Sequence, residues 1–179
     1  MTQPAAPAQP DAPVTAWRGR WLEVVVEDGW EYARRPVGVA AAAVLAITDE
    51  GEAVLVEQRR IPVGAATIEL PAGLVGDVEG ESPEQAARRE LREETGFEAE
   101  HWRDLGEYVP SPGMTAERIH LFLATGLTPA GNGGGVDDER IAVHRVRLAD
   151  MSDFLAQARA AGLAVDLKLL MLLPWTRIG

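Results

Sequence analysis

Apolar and polar positions alternate along "WLEVVVEDGWEYARR", residues 21–35, which is rich in Val, Trp and Tyr. A period of two with β-favouring residues predicts strands, here folded back around the turn Glu27-Asp28-Gly29. "VGVAAAAVLAI", the turn "TDEGE" and "AVLVEQRR" predict a hairpin, although its four consecutive alanines weaken the first strand. "TIEL" is a short strand ending at Pro71, and "AGLVGDVEGE" is expected to be a glycine-bearing loop. "HWRDLGEYV" and "RIHLFLATGL" are strand candidates flanking the loop "PSPGMTAE". "GNGGGVDDE" predicts a flexible acidic loop, followed by the strand "RIAVHRVRL" and two closing helices, "ADMSDFLAQARAAG" and "DLKLLMLLPW". Strands with one helix inserted and two at the end indicate an α/β domain with a mixed sheet packed between helices.

The inserted helix has a start and a stop written in its residues. Ser82 is a capping residue, Pro83 suits the first helical position, and Gln85 stands where a capping box needs it. Gly96 suits the C-terminal cap, so the helix is expected over Pro83 to Thr95. At 3.6 residues per turn, Glu90, Glu93 and Glu94 fall on one arc of about 100° that also holds Ala86, with Ala87 and Leu91 beside it. Gln85, Arg88 and Arg92 lie away from that arc. Glu84 with Arg88, and Arg89 with Glu93, are i,i+4 pairs worth roughly 0.2–0.5 kcal/mol each, as on an ordinary solvated helix. Glu90 and Glu94 are different: a like-charge i,i+4 pair beside small apolar residues is unfavourable until something neutralises it. A hard divalent cation such as Mg²⁺ does so with carboxylate oxygens and its own waters.

Composition narrows the field. The chain of 179 residues, 46% hydrophobic, has the length and apolar content of one domain with appendages. Residues 1–16 are rich in Pro and Ala, lack apolar periodicity and lack a signal-peptide pattern, so they are expected to be a disordered tail before a single domain over 17–179. No apolar run reaches the roughly 20 residues of a membrane span, and a soluble, cytoplasmic protein is expected. Without cysteine, any metal must bind oxygen or histidine. The formal charge of −11 disfavours a nucleic-acid surface, and a phosphate-bearing ligand would need cations as bridges.

The stretch "ESPEQAARRELREETGF" resembles the Nudix box, G-x5-E-x7-R-E-U-x-E-E-x-G-U with U apolar. Glu81, Arg89, Glu90, Leu91, Glu93, Glu94, Gly96 and Phe97 occupy its fixed positions. The leading glycine of the pattern would fall at Val75, whereas the available one is Gly73, which implies a loop two residues longer before the helix. The resemblance implies a Nudix-type α/β/α sandwich in which 73–97 form the box loop and helix and 17–36 form N-terminal strands suited to dimerisation. It implies hydrolysis of a nucleoside diphosphate linked to another moiety, with Mg²⁺ or Mn²⁺ as cofactor. Glu90 and Glu94 would be the principal metal ligands, Glu93 a further ligand or a base, and the carbonyl of Ala72 a backbone ligand. Arg89 is read as an orienter of the box glutamates and Glu81 as their supporter.

Outside the box, "VEQRR", "IELPAGLV" and "YVPSPGMTAERIHLFLA" resemble the ADP-ribose pyrophosphatase branch, in which a proline stands near the position of Pro112, sixteen residues after Gly96. By that resemblance Arg60 contacts the substrate's phosphates, unless it is merely a strand-end surface arginine. Arg35 is a second phosphate contact, and Trp30 either stacks on the adenine or belongs to a core or dimer interface. The general base is Glu139 in the glycine-rich loop, with Glu93 as rival. The three histidines are too scattered to form a ligand cluster. The implied activity is Mg²⁺-dependent hydrolysis of ADP-ribose to AMP and ribose 5-phosphate by a homodimer, with no nucleic-acid or membrane partner. The alternatives are another nucleoside diphosphate sugar or a dinucleotide, such as GDP-mannose or NADH, and a module that senses ADP-ribose without cleaving it.

Overall fold

The computed structural model of the chain describes residues 12–35, 39–76, 79–136 and 140–177. The described residues form two sheets. The smaller is an antiparallel meander of β1 (Val14–Arg18), β2 (Glu23–Glu27) and β3 (Trp30–Arg34). It turns at Asp28-Gly29, where both residues have positive φ, 48° and 78°, as a tight hairpin requires. Because β1 begins at Val14, the last residues of the expected tail belong to a strand, paired to β2 from Val26 onward. Residues 1–11 lie outside the described residues.

The larger sheet carries β4 (Ala40–Ile47), β5 (Glu52–Arg60), β6 (Ala65–Glu69), β7 (Ala72–Val75), β8 (Phe97–Tyr108), β9 (Ile119–Pro129), β10 (Ala142–Arg147) and β11 (Ala164–Val165). Its main path runs β11-β6-β5-β4-β9-β8, with β10 on β5 and β7 on β4. The β4–β9 and β11–β6 pairs are parallel and the rest antiparallel, so the sheet is mixed.

Strand β4 shows why the sheet is covered on both faces. Ala43 and Leu45 point into one core with Leu55, Ile68 and Leu121, closed by helix α2 (Met151–Ala160) through Met151 and Leu155. Ala42, Val44 and Ala46 point into the other, with Val54 and Phe122, closed by helix α1 (Pro83–Thr95) through Ala86, Ala87 and Leu91. Of the four alanines that weaken β4 as a strand, Ala42 and Ala40 are on the α1 side, where their small size lets the helix approach, while Ala43 and Ala41 face the other core.

Two further expectations are corrected. Residues 72–75 are not loop but β7, paired Ala40↔Val75 to Ala43↔Ala72. The segment expected as a last α-helix is 3₁₀ over Leu167–Arg177, with Leu169 and Leu172 buried in the first core. No helix among the described residues is long and apolar enough to cross a membrane.

Candidate active site

Helix α1 has the expected bounds and both expected caps. The Ser82 hydroxyl accepts from the Gln85 amide at 3.3 Å, and the Gln85 side chain accepts from the Ser82 amide at 2.8 Å. Gly96 ends the helix in the left-handed region at φ 74°. Its faces divide as the sequence predicts: Arg88 and Arg92 are exposed, and Glu94 is buried at 4% exposure. Arg88 is held by Glu84 at 2.8 Å and lies 4.6 Å over the Trp102 ring.

Arg89 organises the glutamates. It reaches Glu81 through Nε at 3.0 Å and Nη2 at 3.2 Å, and Nη2 also donates to the Leu74 carbonyl at 3.2 Å. Its Nη1 donates to Glu90 at 2.7 Å and Glu93 at 3.1 Å. These carboxylates, the hydrogen-bonded Glu81 foremost, raise the arginine's pKa above its already high ordinary value, so it stays charged throughout. One cation thus ties together three of the four box glutamates.

Glu94 is held separately. Its Oε2 accepts from the Ala72 amide at 2.9 Å and its Oε1 lies 3.4 Å from Gln58 Nε2. Gly73 completes the arrangement, because a Cβ built there would fall 1.9 Å from Glu90 Oε1. Val75, where the pattern would put its glycine, is instead buried in the α1-side core. The glycine that matters to the box is therefore the one two residues earlier. Among the described residues no three acidic or imidazole groups are gathered closely enough to hold an ion as they stand. Glu90 and Glu93 share Arg89, and Glu94 faces Ala72 and Gln58.

Arg60, at the end of β5, forms a two-pronged pair with buried Glu69, Nε and Nη2 each at 2.8 Å. That pair, above all, raises the arginine's pKa, and Glu94 and Asp166 add to it at longer range. The guanidinium has five N–H donors, so this pair leaves others for a ligand. Arg35 is paired to Glu117 at 2.9 Å. Trp30, 62% exposed, and Pro112 line one groove of about 420 Å³ with Glu27, Tyr32 and Thr115. That groove lies between the smaller sheet and the loop joining β8 to β9, where Ala33 donates to Met114 O and accepts from the Ala116 amide, both at 2.9 Å. It shares no lining residue with the Glu94 cluster. Glu139 lies outside the described residues.

Sequence reasoning missed Gln58 and Glu69, although both stand in the quoted "EQRR" and "IELPAG" segments. The signal was the period of two, which puts Gln58 and Arg60 on the same face of β5.

A mixed sheet between helices, with a carboxylate-bearing helix α1 laid against it, defines a class, and the comparisons agree with it. The fold superposes on a crystal structure of an ADP compounds hydrolase with a TM-score of 0.71, 24% identity and 95% of each chain covered. The NUDIX domain model matches residues 38–166, and the chain belongs to the Nudix family. It is 39% identical over 130 residues to a methanol dehydrogenase activator of Bacillus methanolicus, covering 72% of this chain and 68% of that protein. It is 41% identical over 111 residues to an ADP-ribose pyrophosphatase of Bacillus subtilis (strain 168), covering 62% of this chain and 59% of the relative. A GDP-mannose pyrophosphatase of Cronobacter sakazakii is 33% identical over 144 residues, covering 76% of this chain and 72% of the relative.

Proposed function

We propose that this chain hydrolyses the diphosphate of ADP-ribose to AMP and ribose 5-phosphate. The single observation that carries the reading of a purine nucleotide substrate is the groove shared by Trp30 and Pro112, residues far apart in sequence, which offers an exposed indole as a platform for a purine. The likeness to an ADP-ribose pyrophosphatase supports ADP-ribose among the purine nucleotides.

The donor set fits a hard divalent cation such as Mg²⁺ or Mn²⁺: the carboxylates of Glu90, Glu93 and Glu94 and the Ala72 carbonyl are all oxygens. The backbone supports the fit in two ways. Gly73 leaves the space that Glu90 fills. The Ala72 amide points to Glu94, and since one residue's N–H and C=O share an edge of a strand, its carbonyl turns the same way. When bound, such a cation neutralises the diphosphate oxygens and favours ionisation of an attacking water. The chain's own residues do the rest. Arg89 and Glu81 hold Glu90 and Glu93 in place, and Gln58 and the Ala72 amide hold Glu94. Arg60 and Arg35 offer their remaining N–H donors to the phosphates. Glu139, with Glu93 as the alternative, accepts the proton of the attacking water. A homodimer joined through the N-terminal sheet belongs to this reading, since Trp17 and Trp21 there are 56% and 57% exposed.

The GDP-mannose pyrophosphatase relative favours a second reading, the same hydrolysis on another nucleoside diphosphate sugar. Rates on a panel of ADP-ribose, GDP-mannose and NADH, with and without Mg²⁺, decide between them. AMP released from ADP-ribose fastest and only with metal is expected. No AMP from ADP-ribose at any metal concentration overturns the reading, and faster release from GDP-mannose selects the second.

A further inference from the structure

The segment after β9 is rich in glycine, yet it is docked. Ala130 and Gly131 donate their amides to the Gly96 carbonyl at 2.7 and 3.1 Å, Gly134 donates to Glu94 O at 2.9 Å, and Gly135 donates to Glu93 O at 3.0 Å. The Ile141 amide closes the loop on Gly134 O at 3.2 Å. An α-helix leaves its last carbonyls without partners of its own, and here two of those satisfied from outside belong to Glu93 and Glu94. The contact is backbone on backbone. A Cβ on Gly133 would fall 2.5 Å from the Thr95 carbonyl carbon, and one on Gly96 would fall 2.6 Å from Gly131 O. Both residues have positive φ, 63° and 74°, so neither position admits a side chain for reasons of space or of conformation.

We infer that residues 130–135 are a clamp on the last turn of α1, and that Gly133 is a positioning residue for Glu93 and Glu94. The glycines serve close approach rather than freedom of movement. The clamp fixes the main chain from which both carboxylates project, while Arg89, Ala72 and Gln58 fix their far ends. Each glutamate is then held at two points, the condition for a preorganised site. This inference rests on the reading of Glu93 and Glu94 as site residues.

The test uses the full chain. In the unaltered protein without metal, the Gly134 and Gly135 amides should exchange with solvent at least a hundredfold more slowly than in a free peptide; exchange at the free-peptide rate overturns the clamp, whether or not any variant folds. In Gly133→Ala, exchange at both amides should rise at least tenfold, and Mn²⁺ binding read by electron paramagnetic resonance should weaken at least tenfold. On the nucleoside diphosphate that the unaltered chain cleaves fastest, kcat should fall at least tenfold with KM within twofold. A purely structural role would lower the folded fraction and leave the Mn²⁺ affinity of the folded chain unchanged, which overturns the inference. Absence of Mn²⁺ binding in the unaltered chain instead removes the site reading on which the clamp depends.

Discussion

Glu90 occupies the space that a side chain on residue 73 would take, its Oε1 lying 1.9 Å from where a Cβ of Gly73 would stand. The two residues are on different elements, β7 and α1, and the absence of one side chain defines the place of the other. Gly73→Ala should therefore displace the Glu90 carboxylate by an ångström or more and lower kcat by about a hundredfold, the usual consequence of such a misplacement. Far-ultraviolet circular dichroism should be unchanged, because the sheet pairing of β7 does not require glycine. Turnover within threefold of the unaltered chain would show that Glu90 need not stand where it does.

Glu94 and Gln58 make a second pair with a graded expectation. Glu94→Gln removes the charge but keeps the shape, and turnover should fall by about 10²–10³ with the fold intact. Gln58→Leu removes one hydrogen-bond donor to Glu94 while keeping the Ala72 amide, and should weaken metal affinity by about 10–100-fold with a smaller change in kcat at saturating Mg²⁺. Titration calorimetry with Mn²⁺ reads the affinity; equal binding by Gln58→Leu and the unaltered chain would show that the glutamine does not orient Glu94.

The base is assigned by kinetics. Glu139→Gln should lower kcat by about 10²–10⁴ with the Mg²⁺ activation curve unmoved, because a proton acceptor need not be a ligand. If kcat is unaffected, the same measurement on Glu93→Gln should show the loss, together with a shifted metal dependence.

Acid should act on the small sheet through Glu23. Its carboxylate is gripped by Arg34 at 2.9 Å and Arg18 at 2.6 Å, and the Arg34 hydrogen bond above all lowers its pKa below the ordinary 4.5, against the opposing effect of burial. A lowered folded value means the unfolded chain binds the proton more tightly. The contribution to stability is then present in full above pH 4.5 and is lost as pH falls through the folded value. Fluorescence of Trp17, Trp21 and Trp30 should report a transition below pH 4.5 that Glu23→Gln abolishes.

Helix α1 was legible because its signals are local: Ser82, Pro83, Gln85 and Gly96 lie within or beside the segment they delimit, and the structure puts the bounds at Pro83 and Thr95. The separation of wet Arg88 and Arg92 from buried Glu94 followed from helical period alone. Strand β7 was not legible, since Gly73 within it and Gly76 just after it read as a loop and its partner, β4, lies some thirty residues away. The glycine-rich stretch misled for a related reason. Glycine records permission to approach closely as well as permission to move, and only the position of α1 distinguishes the two. The groove between Trp30 and Pro112 depends on how the smaller sheet meets the loop joining β8 to β9, which no local pattern encodes.

That groove sits on the seam closed by Ala33, Met114 and Ala116. A molecule lodged between Trp30 and Pro112 touches both sides of the seam at once, so its binding energy also works against their separation. On the proposed reading of this groove as the purine site, substrate and residues 12–35 are thermodynamically linked. Saturating ligand should slow proteolytic removal of the amino-terminal strands, and any change that loosens those strands should show up as weaker binding at a site whose carboxylates it never touches.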